Sequence, residues 1–186
     1  VTLFGKAAHG SRPWEGTNAV EASYLFHEKL KTLPFTKASN EYYEYPSINL
    51  AKIQAGDRYN VVPDQCEVNY DIRFVPGQNW EEIIEEMTEL AQSINPKNIV
   101  KVGGKTPAIT TTEDNPFVQS LALVIAEVTQ KDAVLFGQHG SADTRYYAKT
   151  GAGAIEFGPS GEDWHGPNEY VLISSVEQYA DILTKH

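Results

Sequence analysis

The residues best suited to chemistry are histidines set in loops that glycine and proline shape. Positions 158–170 hold three glycines and two prolines around a single histidine, His165. That content opposes a regular helix or strand, so the stretch is expected to be a loop. Glycines let main-chain N–H groups approach an anion, and a neutral imidazole is a common zinc ligand. A zinc site needs about four ligands, and the sequence contains neither an HExxH nor an HxD pair. If His165 binds a metal, most of its co-ligands are expected outside these 186 residues.

A second glycine-containing loop, 137–143, carries His139, Ser141 and Asp143. A serine-hydrolase reading fails there, because the GxSxG elbow is missing and Asp143 is too close in sequence to serve as an obvious third member. Ser141 is left as a helix N-cap or as a hydroxyl that holds a substrate carboxylate. His9 lies in a polar loop over 7–16 and, taken alone, reads as a solvated histidine. Arg73 reads as a cross-strand charge partner for Glu67 or Asp71.

The elements that position these residues follow from pattern. Residues 1–6 read as a strand. A helix begins after Thr17 as N-cap, with Ala19, Ala22, Phe26, Leu30 and Leu33 on one face, and Pro34 closes it. A strand is expected over 45–54 and a turn over 56–64. Cys66, Val68, Tyr70, Ile72 and Phe74 then alternate with polar residues, the signature of a sheet covered on one face. Asn79 caps a helix in a capping box with Glu82, and Ile83, Met87 and Ala91 belong to its apolar stripe. Ile99, Val100 and Val102 read as a last short strand before Gly103-Gly104. The order βαββαβ predicts an α+β ferredoxin-like domain over 1–105.

Beyond the glycine pair the pattern changes. Asn115 and Pro116 start a helix, 132–136 and 153–157 read as buried strands, and Ser174 with Glu177 reads as the capping box of a final helix. Two strands do not close an α/β layer, so 106–186 is expected to be the C-terminal part of a larger α/β domain. Val1 already lies in a strand-like run, which fits a piece of a longer protein.

Composition narrows the partners. A net charge of -10 argues against nucleic acid or an anionic membrane surface. An apolar content of 41% supports a soluble globular core. A single cysteine, Cys66, excludes an internal disulfide and fits a reducing, cytoplasmic setting. No apolar run approaches the length of a membrane span.

Taken together, the motifs resemble a known family. Gly5-Lys6-Ala7-Ala8-His9-Gly10-Ser11-Arg12-Pro13 followed by Gly16-Thr17-Asn18-Ala19 is similar to the GxxAHxxxP…GxNA signature in the lid of the dizinc aminoacylase, carboxypeptidase and desuccinylase metallopeptidases. Asn60-Val61-Val62-Pro63-Asp64 and Asp71-Ile72-Arg73 resemble that lid's NxxP and DIR motifs, and His165-Gly166-Pro167-Asn168-Glu169 its last metal-binding motif. Acetylornithine deacetylases and succinyl-diaminopimelate desuccinylases look nearest.

The resemblance implies a homodimerising lid and an α/β zinc-peptidase domain that cleaves an N-acyl amino acid or peptide at its amide bond. It implies that His9 donates in trans to the tetrahedral oxyanion, helped by Asn60. Arg73 would hold a substrate carboxylate, and Ser141, Gly158 and Gly161 the carboxylate or acyl end. His165 would bind one of two zinc ions, with cobalt or manganese as alternatives. The family's HxD motif, bridging aspartate and paired glutamates precede its lid and are not in this sequence, so the 186 residues alone are expected to be inactive and to bind zinc weakly or not at all. The rival reading is a non-enzymatic dimerisation or small-molecule-sensing module, since fold alone does not fix function.

Overall fold

A computed structural model describes residues 1–147 and 150–186. It divides into two compact units, Val1–Thr106 and Pro107–His186.

The first unit is an antiparallel sheet with helices on one face. β1 (Thr2–Phe4), β2 (Ser47–Ala55) and β3 (Gln65–Arg73) run in the order β1-β3-β2, with Leu3 opposite Cys66 and Ile48 opposite Ile72. The period-two pattern of β3 decides its faces: Cys66 and Val68 are buried while Gln65, Glu67, Asn69 and Asp71 are exposed. Helix α1 (Ala19–Leu30) and helix α2 (Trp80–Ile94) cover the apolar face. Phe26 and Leu30 from α1 meet Ile83, Met87 and Ala91 from α2 over Leu3, Cys66 and Val68. Each large side chain buried there contributes about 1.5–3 kcal/mol relative to exposure.

Capping differs from expectation at α1. Asn18 is the N-cap, its Oδ1 accepting the Val20 N–H at 2.9 Å. Thr17 instead exchanges both main-chain hydrogen bonds with Lys6, each 2.9 Å, which leaves it one residue short of the cap. Asn79 caps α2 by accepting from the Glu81 N–H.

The expected fourth strand over 99–102 is reduced to one bridge. Thr2 and Ile99 exchange main-chain bonds of 2.8 and 3.0 Å, and the next positions of β1 are satisfied by side chains. Asn98 Oδ1 accepts the Phe4 N–H and Asn95 Nδ2 donates to the Phe4 carbonyl, both at 2.7 Å. With two asparagine amides occupying that edge, no second rung of a ladder is needed to pair it.

In the second unit, helix α3 (Pro116–Thr129) packs against helix α4 (Ile173–Lys185). Leu121 and Ile182 are buried, and the Phe157 and Tyr179 rings lie 5.3 Å apart. Asn115 Oδ1 caps α3 by accepting from Phe117 and Val118, and Pro116 occupies its first turn. The expected strands at 132–136 and 153–157 do not form. Val134 and Phe136 are 78% and 71% exposed, and Ala154 bonds to the Thr111 hydroxyl through both its N–H and its carbonyl. A strand exists through its ladder, and among the described residues no neighbour pairs with either segment. α4 begins after Leu172, not Ser174. Ser175, not Ser174, is engaged there, accepting the Ser160 N–H at 2.9 Å. A two-rung hairpin, β4 (Gly161–Glu162) with β5 (Tyr170–Val171), precedes that helix. Among the described residues no helix is long and apolar enough to cross a membrane.

Candidate active-site loops

Two loops in the first unit are held together rung by rung beyond the end of β1. Val62 N–H donates to the Ala8 carbonyl at 2.9 Å, and Gly10 N–H to the Asn60 carbonyl at 2.7 Å; between them His9 forms a bridge with Val61. This pairing brings His9 and Asn60 together at one end of the sheet. His9 is exposed, and it is not packed inside the domain. Its Nδ1 lies 2.8 Å from the Ser11 hydroxyl and 3.1 Å from the Ser11 main-chain nitrogen.

Arg73 is elsewhere. It closes β3 at the end remote from Gln65, a run of about 27 Å at the rise of an antiparallel strand, so a single subunit does not join it to the His9–Asn60 pair. Its guanidinium is half-exposed and donates to Asp71 Oδ2 at 2.8 Å. Both side chains stand on the sheet face that the helices leave open.

The second unit holds the other candidates. His165 sits in the turn between β4 and β5, exposed and with φ of 63°, and Asp163 has φ of 61°. Two non-glycine residues in the left-handed region store strain that the turn must offset. Asp163 does so twice, its carbonyl accepting the Gly166 N–H at 2.7 Å and its carboxylate the Asn168 N–H at 3.1 Å. The turn-closing part of Asp163 was not singled out in the sequence, although an Asp three residues before a Gly is a turn signal. Gly161 has a packing role: a Cβ there would lie 2.2 Å from the Tyr170 carbonyl oxygen, so only glycine lets β4 and β5 approach. Gly158 has open space around it.

An open cavity of about 450 Å³ adjoins this hairpin, lined by Pro159, Gly161, Trp164, Glu169, Tyr170 and Val171. The Tyr170 phenol is held above its ordinary value, first by its hydrogen bond to Glu162 and then by desolvation. Ser141 is not a helix cap. Ala142 takes that position before the short 3-10 turn Asp143–Tyr146, and Ser141 Oγ accepts from Arg145 Nη1 at 2.6 Å.

The described residues do not fit a complete metal site. No group of three or more His, Cys, Asp or Glu side chains among them could hold an ion. His165 is one ligand at most.

The first unit is a sheet domain whose neighbouring loops expose His9 and Asn60, and it is joined in sequence to a second unit with a histidine-bearing turn. Residues 1–99 match the peptidase dimerisation domain of the M20 family, more than half of the chain, and the chain belongs to that family. It is 29% identical over 188 residues to the succinyl-diaminopimelate desuccinylase of Acinetobacter baylyi, covering 100% of this chain and 49% of that protein. It is 26% identical over 196 residues to the acetylornithine deacetylase of Aliivibrio fischeri, covering 100% and 50%. The chain thus spans about half the length of the curated relatives it matches. Among solved structures, a tripeptidase from Staphylococcus aureus superposes with a TM-score of 0.79 at 20% identity, covering 98% of this chain and 48% of that one. A dinuclear metal binding peptidase of the M20 family from Bacillus subtilis gives 0.64 at 19%, covering 98% and 48%. At those identities the two structures establish the fold.

Proposed function

We propose that this chain is the lid and the C-terminal catalytic segment of a metal-dependent amidohydrolase that cleaves the amide bond of an N-acyl amino acid or small peptide. The observation that carries the reading is the exposed His9, bridged to Val61 beside the exposed Asn60 on the loops of an M20 dimerisation domain. When water adds to an amide carbonyl, negative charge grows on the carbonyl oxygen. A donor aimed at that oxygen in a water-poor site stabilises the transition state by about 3–4 kcal/mol. His9 is the donor in this proposal and Asn60 its neighbour, both presented to the partner subunit of a homodimer. Desuccinylase and deacetylase relatives support an acyl amino acid as substrate.

The ferredoxin-like assignment of the lid belongs to this proposal. It is supported by the order β1-β3-β2 and by Ile99 pairing on the outer edge of β1. The proposal places the domain boundary near residue 105. Arg73 is proposed as a carboxylate grip because Asp71 already orients its planar fork. Ser141, Gly158 and Gly161 are proposed for the acyl or carboxylate end. A zinc pair, with His165 offering one ligand, would be completed by residues beyond this chain. The proposal includes a cytoplasmic setting, supported by the single buried, unpaired Cys66.

The test is turnover. A protein extended to the length of its relatives and loaded with zinc is assayed on acetylornithine, succinyl-diaminopimelate and dipeptides. Hydrolysis of one of them is the expected result. Folded, metal-loaded protein that turns over none would leave a dimerisation or sensing module as the better reading.

A further inference from the structure

The geometry points to Ser11 as a positioning residue that holds the His9 imidazole in one rotamer and one neutral tautomer, with the proton on Nε2. The catalytic meaning of this inference rests on the proposed role of His9; the tautomer does not.

A main-chain N–H can only donate. The Ser11 N–H reaches His9 Nδ1 at 3.1 Å, so Nδ1 is the acceptor. A neutral imidazole carries a single N–H, which places it on Nε2. The Ser11 hydroxyl, 2.8 Å from the same nitrogen, then donates as well, since Nδ1 has no hydrogen to give. Both groups of one residue converge on one ring atom.

The local chain explains how. The His9 carbonyl accepts the Arg12 N–H at 2.8 Å, closing a turn that folds Ser11 back over the ring. Gly10 bonds to Asn60 on the other side of that turn, so the turn is fixed to the paired loops. An exposed histidine without such contacts samples both tautomers and several rotamers. With them, the free edge of the ring is a neutral donor before any substrate arrives, and a donor of that kind is what a developing oxyanion requires.

The bland reading is a surface Ser–His contact that only closes a turn. It makes no demand on the tautomer, and this separates the two. The 186-residue chain is labelled with 15N-histidine and the ring nitrogens are read by long-range proton–nitrogen correlation at about pH 8.5, where imidazole is neutral. The His9 signals are assigned by their loss in His9→Gln. The expected pattern is a proton-free Nδ1 and a protonated Nε2. Ser11→Ala keeps the main-chain donor and loses the hydroxyl, so the ratio of Nε2–H to Nδ1–H falls about fivefold; Ser11→Thr restores it. Thermal melts of the variants should coincide with the parent.

A protonated Nδ1 in the parent chain, or an unchanged ratio in Ser11→Ala, would overturn the inference. Loss of turnover in His9→Ala of the extended protein together with a ring insensitive to Ser11 sinks this inference alone. Intact turnover in that variant with a ring that answers to Ser11 sinks the oxyanion role and leaves the positioning role standing.

Discussion

The Asn60 carbonyl accepts the main-chain N–H of Gly10 at 2.7 Å, and this bond registers two loops that are far apart in sequence. One loop carries His9 and the other carries Asn60, so neither side chain depends on a flexible tip for its place. The sheet sets the register: Phe4 opposite Gln65 continues into Gly5 N–H donating to the Asp64 carbonyl, and from there to Ala8 and Val62. The candidate site is thus an extension of the β1–β3 ladder.

Gly161 and Gly158 are expected to respond differently to alanine. At Gly161 the new Cβ would meet the Tyr170 carbonyl at 2.2 Å, while at Gly158 nothing lies within 4 Å. Gly161→Ala should abolish hydrogen-exchange protection in the β4–β5 hairpin and leave the first unit unchanged. Gly158→Ala should leave the hairpin protected, and equal protection in both variants would contradict the close approach.

Asn98 should be the most costly polar truncation in the first unit. It is 2% exposed and bridges the Phe4 N–H at 2.7 Å and the Ala91 carbonyl at 2.9 Å. Asn98→Ala leaves the Phe4 N–H without a partner, while the Ala91 carbonyl keeps the Asn95 N–H at 3.2 Å; the loss is expected at about 1–3 kcal/mol, measured by urea denaturation. A loss under about 0.5 kcal/mol, the range of ordinary surface changes, would show that the β1 edge does not need the amide.

Tyr70 predicts an alkaline limit. Burial, with a smaller contribution from Cys66, holds its phenol above the ordinary value, and its hydroxyl lies 3.3 Å from His27 Nδ1. The folded chain keeps this proton at a pH where the unfolded chain has released it. Its contribution is therefore complete below about pH 10 and is lost as pH rises from there through the folded-state value. Stability measured across that range should fall less steeply in Tyr70→Phe than in the parent; identical slopes would refute the assignment.

Arg73→Ala in the extended protein should raise KM about tenfold or more, the loss expected when a charged hydrogen-bond donor to a carboxylate is removed, with a smaller change in kcat. An unchanged KM would reduce Arg73 to the partner of Asp71 seen on the sheet face.

Much of the first unit was legible in the sequence because its signals are periodic. The alternation from Cys66 to Ile72 and the stripe Ile83, Met87, Ala91 each allow one buried face, and those faces form the core. The reduction of the expected fourth strand to a single bridge was not legible, because Asn95 and Asn98 satisfy β1 with side chains and no apolar pattern records that. Thr17 and Asn18 are both good caps, and only the Lys6–Thr17 pairing decides between them. The segments 132–136 and 153–157 have the composition of buried strands, but composition cannot supply the neighbours a ladder needs. The His9 and His165 loops stood out by their glycines, whereas Ser11 and Asp163 act through turns whose closure is visible only in three dimensions.

The central claim is that His9 completes a site in the partner subunit, and mixing two inactive variants of the extended protein tests it most directly. His9→Ala and His165→Ala are combined, dissociated and allowed to reassort. If His9 works in trans, each mixed dimer contains one site with both histidines, and turnover should recover to roughly a quarter of the parent's, given statistical pairing of subunits in C₂ dimers. A mixture as inactive as its two components would contradict the account.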